Sequence, residues 1–276
     1  MADVKYLTTS NVKYSLPRMC KLVSLSRRDE LLHNSCQSAA AGNKRTNMRT
    51  IIVGDVHGCA KELSALLDKV KVDPKEDWLI MLGDLFDRGP ESFEVFEMVQ
   101  KLDQEFGERF VLLLGNHEDY LLAEKLTLRQ KMIWDKVGRG TTVKSFKEHG
   151  GKMEDAIPWI QAHCRLYWKG EGYQCVHAGV KVEPIEANDR QTLIHDHGVI
   201  FENEYKGVLT IVGHVGIEKP MYFDGQGGEG KELVYGEETA LPEHGVICID
   251  TGCGKGGKLT AMLIENKHYM LMSIAE

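Results

Sequence analysis

Ile51-Ile-Val-Gly-Asp-Val-His-Gly58 is a short apolar run that stops at a glycine and then presents an aspartate and a histidine two residues apart. The construction recurs in Trp78-Leu-Ile-Met-Leu-Gly-Asp84 and in Phe110-Val-Leu-Leu-Leu-Gly-Asn116. Each run has strand length and strand composition. Leu63, Leu66, Leu67 and Val70 follow the first at helical spacing, and Val95, Phe96, Met98, Val99 and Leu102 follow the second. Strands alternating with amphipathic helices predict an α/β fold. Residues 141–166 read as further helix. Later strands are expected at Tyr173–Gly179, Val208–His214, Val246–Asp250, Leu259–Ile264 and His268–Ile274. The last three are expected as consecutive antiparallel strands of a second sheet.

The polar residues at the strand ends carry more information than the strands themselves. Gly54-Asp55, Gly83-Asp84 and Gly115-Asn116 close three successive strands, His177 stands near the end of a fourth, and Gly213-His214 closes a fifth. In open α/β sheets the crevice beyond the carboxyl ends of the strands is where ligands bind, and glycine there permits close approach. One Asp or His at such a position is ordinarily a turn residue, but six gathered at one edge point to a site. Asp55, His57, Asp84, Asn116, His177 and His214 mix hard oxygen with imidazole nitrogen, which suits Mn²⁺, Fe or Zn²⁺ better than an all-oxygen calcium site or a thiolate finger. Residues two apart on an extended chain point to one side, so Asp55 and His57 can grip one ion. Six ligands exceed the needs of one catalytic metal with open positions, so two metals sharing a carboxylate are expected.

Composition narrows the remaining classes. The chain has 276 residues, with 42% hydrophobic and 27% charged side chains, as a globular protein has. Its net charge of −7 carries no general basic excess, so dedicated nucleic-acid binding is not expected. The basic side chains concentrate in residues 1–47, which hold eight against three acidic ones and lack a sustained hydrophobic period. This segment is expected as a flexible extension, with residues 48–276 forming the catalytic domain. No apolar run approaches the roughly 18–20 residues of a membrane span, so no membrane partner and a cytoplasmic location are expected, with mitochondrial targeting by the basic leader as the lesser alternative. The seven scattered cysteines form no close CxxC pair and are expected to be reduced thiols.

Taken together, Gly54-Asp-Val-His-Gly58, Gly83-Asp-Leu-Phe-Asp-Arg-Gly89, Gly115-Asn-His-Glu118, His177-Ala-Gly179 and Gly213-His214 resemble the phosphoprotein phosphatase branch of the calcineurin-like metallophosphoesterases. Weaker matches are Trp134 with Gly138-Arg-Gly-Thr-Thr142 and Ser145, and Ile249-Asp-Thr-Gly252 before Gly256-Gly-Lys-Leu-Thr260. They are similar to stretches of bacterial and phage protein phosphatases and of symmetrical diadenosine tetraphosphatases. The resemblance implies two mixed β-sheets packed as a sandwich flanked by helices. It assigns Asp55, His57 and Asp84 to a first metal and Asp84, Asn116, His177 and His214 to a second, with Asp84 bridging. It implies that Arg88, with Asn116 and His214, contacts substrate phosphate, and that His117, oriented by Asp87, protonates the leaving oxygen after attack by a metal-activated hydroxide. Mn²⁺ is the expected metal, with Fe or Zn²⁺ as alternatives.

Two departures bear on substrate. Gly213-His-Val-Gly216 lacks the second histidine of the Gly-His-x-His motif found in many phosphodiesterases and nucleases of this class. The second phosphate-gripping arginine common between the His177 and His214 motifs is absent; Arg190, His195, His197 and Arg139 are candidates to replace its charge. The first reading is therefore a phosphatase of phosphoserine, phosphothreonine or phosphotyrosine in proteins. The alternative is a dinucleoside polyphosphate hydrolase, and a third reading is an inactive scaffold that binds phosphorylated partners. Cys59 is expected as a small packed residue, and the glycine-rich 224–230 as a flexible hairpin or substrate-side loop.

Overall fold

The computed structural model describes residues 48–276, so the expected extension 1–47 lies outside the described residues. β1 (Thr50–Val53), β2 (Trp78–Met81) and β3 (Phe110–Leu113) run parallel to one another. Parallel neighbours require a crossover, and α1 (Ala60–Val70) and α2 (Ser92–Phe106) provide two of them. Leu63, Leu66, Leu67 and Val70 are buried along α1, as are Val95, Phe96, Val99 and Leu102 along α2, so each helix turns its apolar stripe inward.

After β3 come α3 (Asn116–Leu122), α4 (Leu128–Lys136), α5 (Arg139–Glu148) and α6 (Ile157–His163). The helix expected over 141–166 is thus broken after Glu148, where Gly150 and Gly151 follow, and it gives way to extended chain at Cys164. β4 (Cys164–Arg165), β5 (Tyr167–Lys169) and β6 (Tyr173–Val176) lead to α7 (Arg190–His195) and α8 (Gly198–Phe201). β7 (Leu209–Val212), β8 (Met221–Phe223), β9 (Lys231–Glu232), β10 (Thr239–Ala240), β11 (Val246–Cys248), β12 (Lys258–Glu265) and β13 (His268–Ala275) complete the chain. β8 and β9 pair antiparallel across the glycine-rich 224–230, which is therefore a hairpin connection.

Among the described residues thirteen strands form two mixed sheets, one of order β10-β13-β12-β1-β2-β3-β4 and one of order β5-β6-β7-β11-β8-β9. Ile52, Ile80 and Val111 from the first sheet pack with Cys175, Ile211 and Ile247 from the second, and all are buried. The alternate residues Ile51, Leu79 and Leu112 point the other way, into the core under the helices. Side chains alternate between faces along a strand, so a run buried on both sides needs apolar residues throughout. That is why the three opening runs have no polar alternation.

The end of the chain departs from the expected arrangement. β11 lies in the second sheet, parallel to β7 and antiparallel to β8, while β12 and β13 form a hairpin that adds to β1 in the first sheet. The chain changes sheets through residues 249–257, where Gly252, Gly254 and Gly256 adopt positive φ. β12 takes the place beside β1 because its alternate residues, Leu259, Ala261 and Leu263 on one face and Met262 and Ile264 on the other, fit a doubly buried position. No helix among the described residues is long and apolar enough to cross a membrane.

Candidate metal and phosphate site

The ends of β1, β2, β3, β6 and β7 bring their polar residues together at one pole. Asp55, His57, Asp84, Asp87, His117 and His177 are buried, while Asn116 and His214 are partly exposed. His57, Asp84, Asp87, Arg88 and His214 all have positive φ, which is uncommon outside glycine and clusters where surrounding structure holds side chains against local preference. Two of the preceding glycines are explained by close approach. A Cβ on Gly213 would stand 2.0 Å from Asp55 Oδ1, and one on Gly115 would stand 2.2 Å from Asp84 Oδ1.

The donor atoms form two groups that share Asp84, one with His57 and His117 and one with His177 and His214. His57 Nδ1 donates to the Phe86 carbonyl (2.9 Å) and His177 Nδ1 to the Leu82 carbonyl (2.8 Å), which leaves both Nε2 atoms as lone-pair acceptors. Those acceptors face other acceptors. His57 Nε2 lies 3.5 Å from Asp84 Oδ2 and 4.0 Å from Asp55 Oδ2, and His177 Nε2 lies 3.5 Å from Asp84 Oδ1 and 3.1 Å from Asn116 Oδ1. His214 Nδ1 is 2.8 Å from the same Asn116 oxygen. Asp55 Oδ1, His57 Nε2, Asp84 Oδ2 and His214 Nε2 are buried without a hydrogen-bond partner.

Electrostatics point the same way. Burial lowers His57 and His177 below the ordinary imidazole range, and burial with the charge of His177 takes His214 down to about 2, so these rings are neutral and offer lone pairs. Burial, followed by the neighbouring carboxylates of Asp250 and Asp84, raises Asp55 well above the usual carboxylate range. Converging lone pairs and crowded carboxylates are what divalent cations relieve, so the residues fit divalent metals that take oxygen and imidazole ligands together.

Around this pole the remaining residues hold the catalytic candidates in place. His117 Nδ1 lies 2.6 Å from Asp87 Oδ2, and its backbone N–H donates to Asp84 Oδ1 (3.0 Å). Burial opposes the charged form of His117, but Asp84 and Asp87 outweigh it and raise its pKa. Asp87 is itself fixed by Trp134 Nε1, which donates to Oδ2 (2.7 Å), and by the Thr142 hydroxyl, which donates to Oδ1 (2.7 Å). The Trp134 and Thr142 stretches thus orient Asp87. Arg88 keeps Nε and Nη1 buried and unpartnered.

Several charges that were candidates to replace the missing arginine are engaged elsewhere. Arg190 Nη2 pairs with Asp119 Oδ1 (2.6 Å) and His195 Nε2 with Asp119 Oδ2 (3.0 Å), while Arg139 pairs with Asp135 (2.9 Å) and stacks over Trp134. His197 does reach the pole, its ring 4.4 Å from that of His214. Two carboxylates are additions to the residues singled out from sequence. Glu118 is fully buried and accepts N–H bonds from Asp84 (2.8 Å), Leu85 (2.8 Å) and Gly115 (3.2 Å), tying together the two loops that carry Asp84 and Asn116. Asp250 is 1% exposed; its Oδ1 accepts from Gly252 N–H (3.0 Å) and its Oδ2 has no partner, 3.6 Å from where a Cβ on Gly216 would stand. Both lie inside quoted motifs, but sequence alone shows neither their burial nor their direction. Cys59 is buried, as expected for a packed residue, and no disulfide occurs among the described cysteines.

Residues 48–249 match the family described as calcineurin-like phosphoesterase. A symmetrical bis(5'-nucleosyl)-tetraphosphatase of Pectobacterium atrosepticum is 47% identical over 267 residues, spanning 80% of this chain and 94% of that protein. Among solved structures, a metallophosphoesterase from Sphaerobacter thermophilus superposes with a TM-score of 0.58 at 16% identity, over 83% of this chain and 88% of that one. A protein serine/threonine phosphatase from Saccharomyces cerevisiae superposes with a TM-score of 0.51 at 13% identity, over 85% and 82%. At these identities the structural likeness is one of fold.

Proposed function

The chain belongs to the calcineurin-like phosphoesterase family, whose members are metal-dependent phosphoester hydrolases, and from that premise we propose that it splits dinucleoside tetraphosphates symmetrically into two nucleoside diphosphates. The observation that carries this reading is the 47% identity over 94% of a symmetrical bis(5'-nucleosyl)-tetraphosphatase. It favours a dinucleotide substrate over the phosphoprotein substrate that the sequence motifs put first. Phosphoprotein substrates rest on a likeness of fold, since the protein phosphatase superposes at 13% identity.

Divalent ions, Mn²⁺ first, when held by Asp55, His57, Asp84, Asn116, His177 and His214, would supply Lewis-acid charge and an acidified water. The other steps fall to the chain's own side chains. Water oxygen bonds to one of the two central phosphorus atoms, and the P–O bond to the central bridging oxygen breaks. Arg88, with two unpartnered nitrogens, binds the non-bridging oxygens of that phosphorus, where its planar fork suits bidentate contact. His117, its Nδ1 held by Asp87, presents Nε2 to the departing oxygen and gives up a proton there.

The test is product analysis by chromatography on the Mn²⁺-loaded protein. ADP is the expected sole product from diadenosine tetraphosphate, at a kcat/KM at least about 100-fold above that for a phosphoserine peptide. ATP plus AMP, or a preference for the phosphopeptide, overturns the reading.

A further inference from the structure

Beside Arg88 the surface changes character. Residues 123–147 carry seven basic and two acidic side chains, in a chain whose total charge is −7. One of the two acids, Asp135, is taken up by Arg139. Within this basic patch, α4 buries only Trp134 and leaves Leu128 76% exposed, Met132 64% and Ile133 39%. These three share the side of α4 that lines a hollow of about 550 Å³ together with Arg129 and Lys136. A second hollow of about 550 Å³ is lined by Arg88, Ile133, Lys136 and Lys255, so the two adjoin through Ile133 and Lys136. The sequence leads from a phosphate-binding guanidinium to two ammonium groups and then to an apolar shelf.

That order of chemistry matches one class of ligand. A phosphate chain continuing beyond Arg88 meets Lys136 and Lys255, and the heterocycle at its end meets methyl and thioether groups that otherwise lie bare in water. From Lys136 back to Leu128 the helix rises about 12 Å, enough to accommodate a nucleoside beyond the phosphates. An apolar peptide would leave the lysines unpaired, and a lone phosphate would leave the shelf bare. We propose that this strip binds the distal half of a dinucleoside polyphosphate, with Lys136 and Lys255 on the phosphates remote from the reacting one and Leu128, Met132 and Ile133 beneath the nucleobase. The proposal rests on the functional reading above and assigns the subsite that selects for a polyphosphate with a base at its far end.

Calorimetric titration of the full-length, Mn²⁺-loaded protein tests it without reliance on turnover. The probes are a diadenosine tetraphosphate analogue with a methylene group at the central bridge, inorganic tripolyphosphate and inorganic phosphate. Lys136→Ala combined with Lys255→Ala should weaken the analogue at least about tenfold while shifting inorganic phosphate less than about twofold. Ile133→Asn, which removes apolar surface without adding charge to the hollow it shares with Lys136 and Lys255, should weaken the analogue by about fivefold or more and leave tripolyphosphate nearly unchanged, because only the former brings a base to the shelf. Unchanged analogue affinity in both variants, or equal losses for analogue and inorganic phosphate, overturns the subsite. Wild-type protein that binds the analogue in this lysine-dependent way but leaves diadenosine tetraphosphate intact keeps the subsite and removes the hydrolase reading.

Discussion

His117 and Asp250 are the residues at which the chemistry is most open to measurement. The proton proposed to come from His117 matters in proportion to the basicity of the leaving group. A nucleoside diphosphate leaves as a phosphate whose second pKa is near about 6, whereas phenol, at about 10, needs the proton. His117→Asn should therefore lower kcat on phenyl phosphate by about 10²–10³ and on diadenosine tetraphosphate by no more than about tenfold. Equal losses on the two substrates, with metal content intact, would remove the proton-donor role. Asp250 carries the second expectation. Its Oδ2 is buried, unpartnered and close enough to Asp55 to raise that carboxyl. Asp250→Asn keeps its shape and the bond to Gly252 but removes the charge, so one of the two proposed Mn²⁺ sites should weaken by about tenfold in a calorimetric titration. A two-site isotherm identical to that of the wild type would show Asp250 to be a bystander.

At the scale of elements, α3 and α7 are linked by Asp119, which meets Arg190 at 2.6 Å and His195 at 3.0 Å. Burial pushes the Asp119 carboxyl up, but the hydrogen bond from His195 and the charge of Arg190 prevail and hold it below its ordinary value. A carboxyl depressed in the folded state stabilises the fold above its unfolded pKa, near about 3.9, and loses that effect as pH falls through the folded value. Asp119→Asn should thus cost about 1 kcal/mol at pH 7, with the gap to the wild type closing toward about pH 3. Denaturant melts at both pH values decide this, and a gap of equal size at both would mean that the cluster adds no charge-dependent stability. α4 and α5 have a different task, since Trp134 and Thr142 clamp Asp87 from the two helices. The Trp134 and Gly138–Thr142 matches were legible as a pattern, but only packing shows that they converge on one carboxylate 47 and 55 residues away.

Over the whole molecule, the candidate ligands divide between the two sheets. Asp55, Asp84 and Asn116 follow strands of the first, and His177 and His214 follow strands of the second. Ions held among them join the sheets at one edge, so they should stabilise the fold as well as serve catalysis. At a free Mn²⁺ concentration about 100 times the dissociation constant, each independent site adds about 2.7 kcal/mol. Excess chelator should abolish turnover and, with two such sites emptied, lower Tm by about 10 °C or more, and restored Mn²⁺ should reverse both. An unchanged melt in protein shown by elemental analysis to be metal-free would mean that the ligands do not couple the sheets.

The α/β class, the first two helices and the gathering of the candidate ligands at one edge could be read from sequence because they depend on local periodicity and on strand direction. Apolar runs ending in Gly-Asp, Gly-Asn or Gly-His have a fixed length and a fixed direction, whatever they pack against. The assignment of strands to sheets does not have that property. Val246–Cys248 and Lys258–Glu265 look alike as apolar runs, yet the first pairs with β7 and β8 and the second with β1, because the glycine-rich turn between them carries the chain across the sandwich. The same limit applies to Glu118 and Asp250, whose roles depend on the N–H groups and carboxylates that the tertiary structure brings to them. Lys136 and Lys255 stand 119 positions apart and become neighbours of Arg88 only when the second β-sheet returns its chain to the first. Periodicity is a property of one segment, but a site is a property of the distances between segments, and those are set when the two sheets pack.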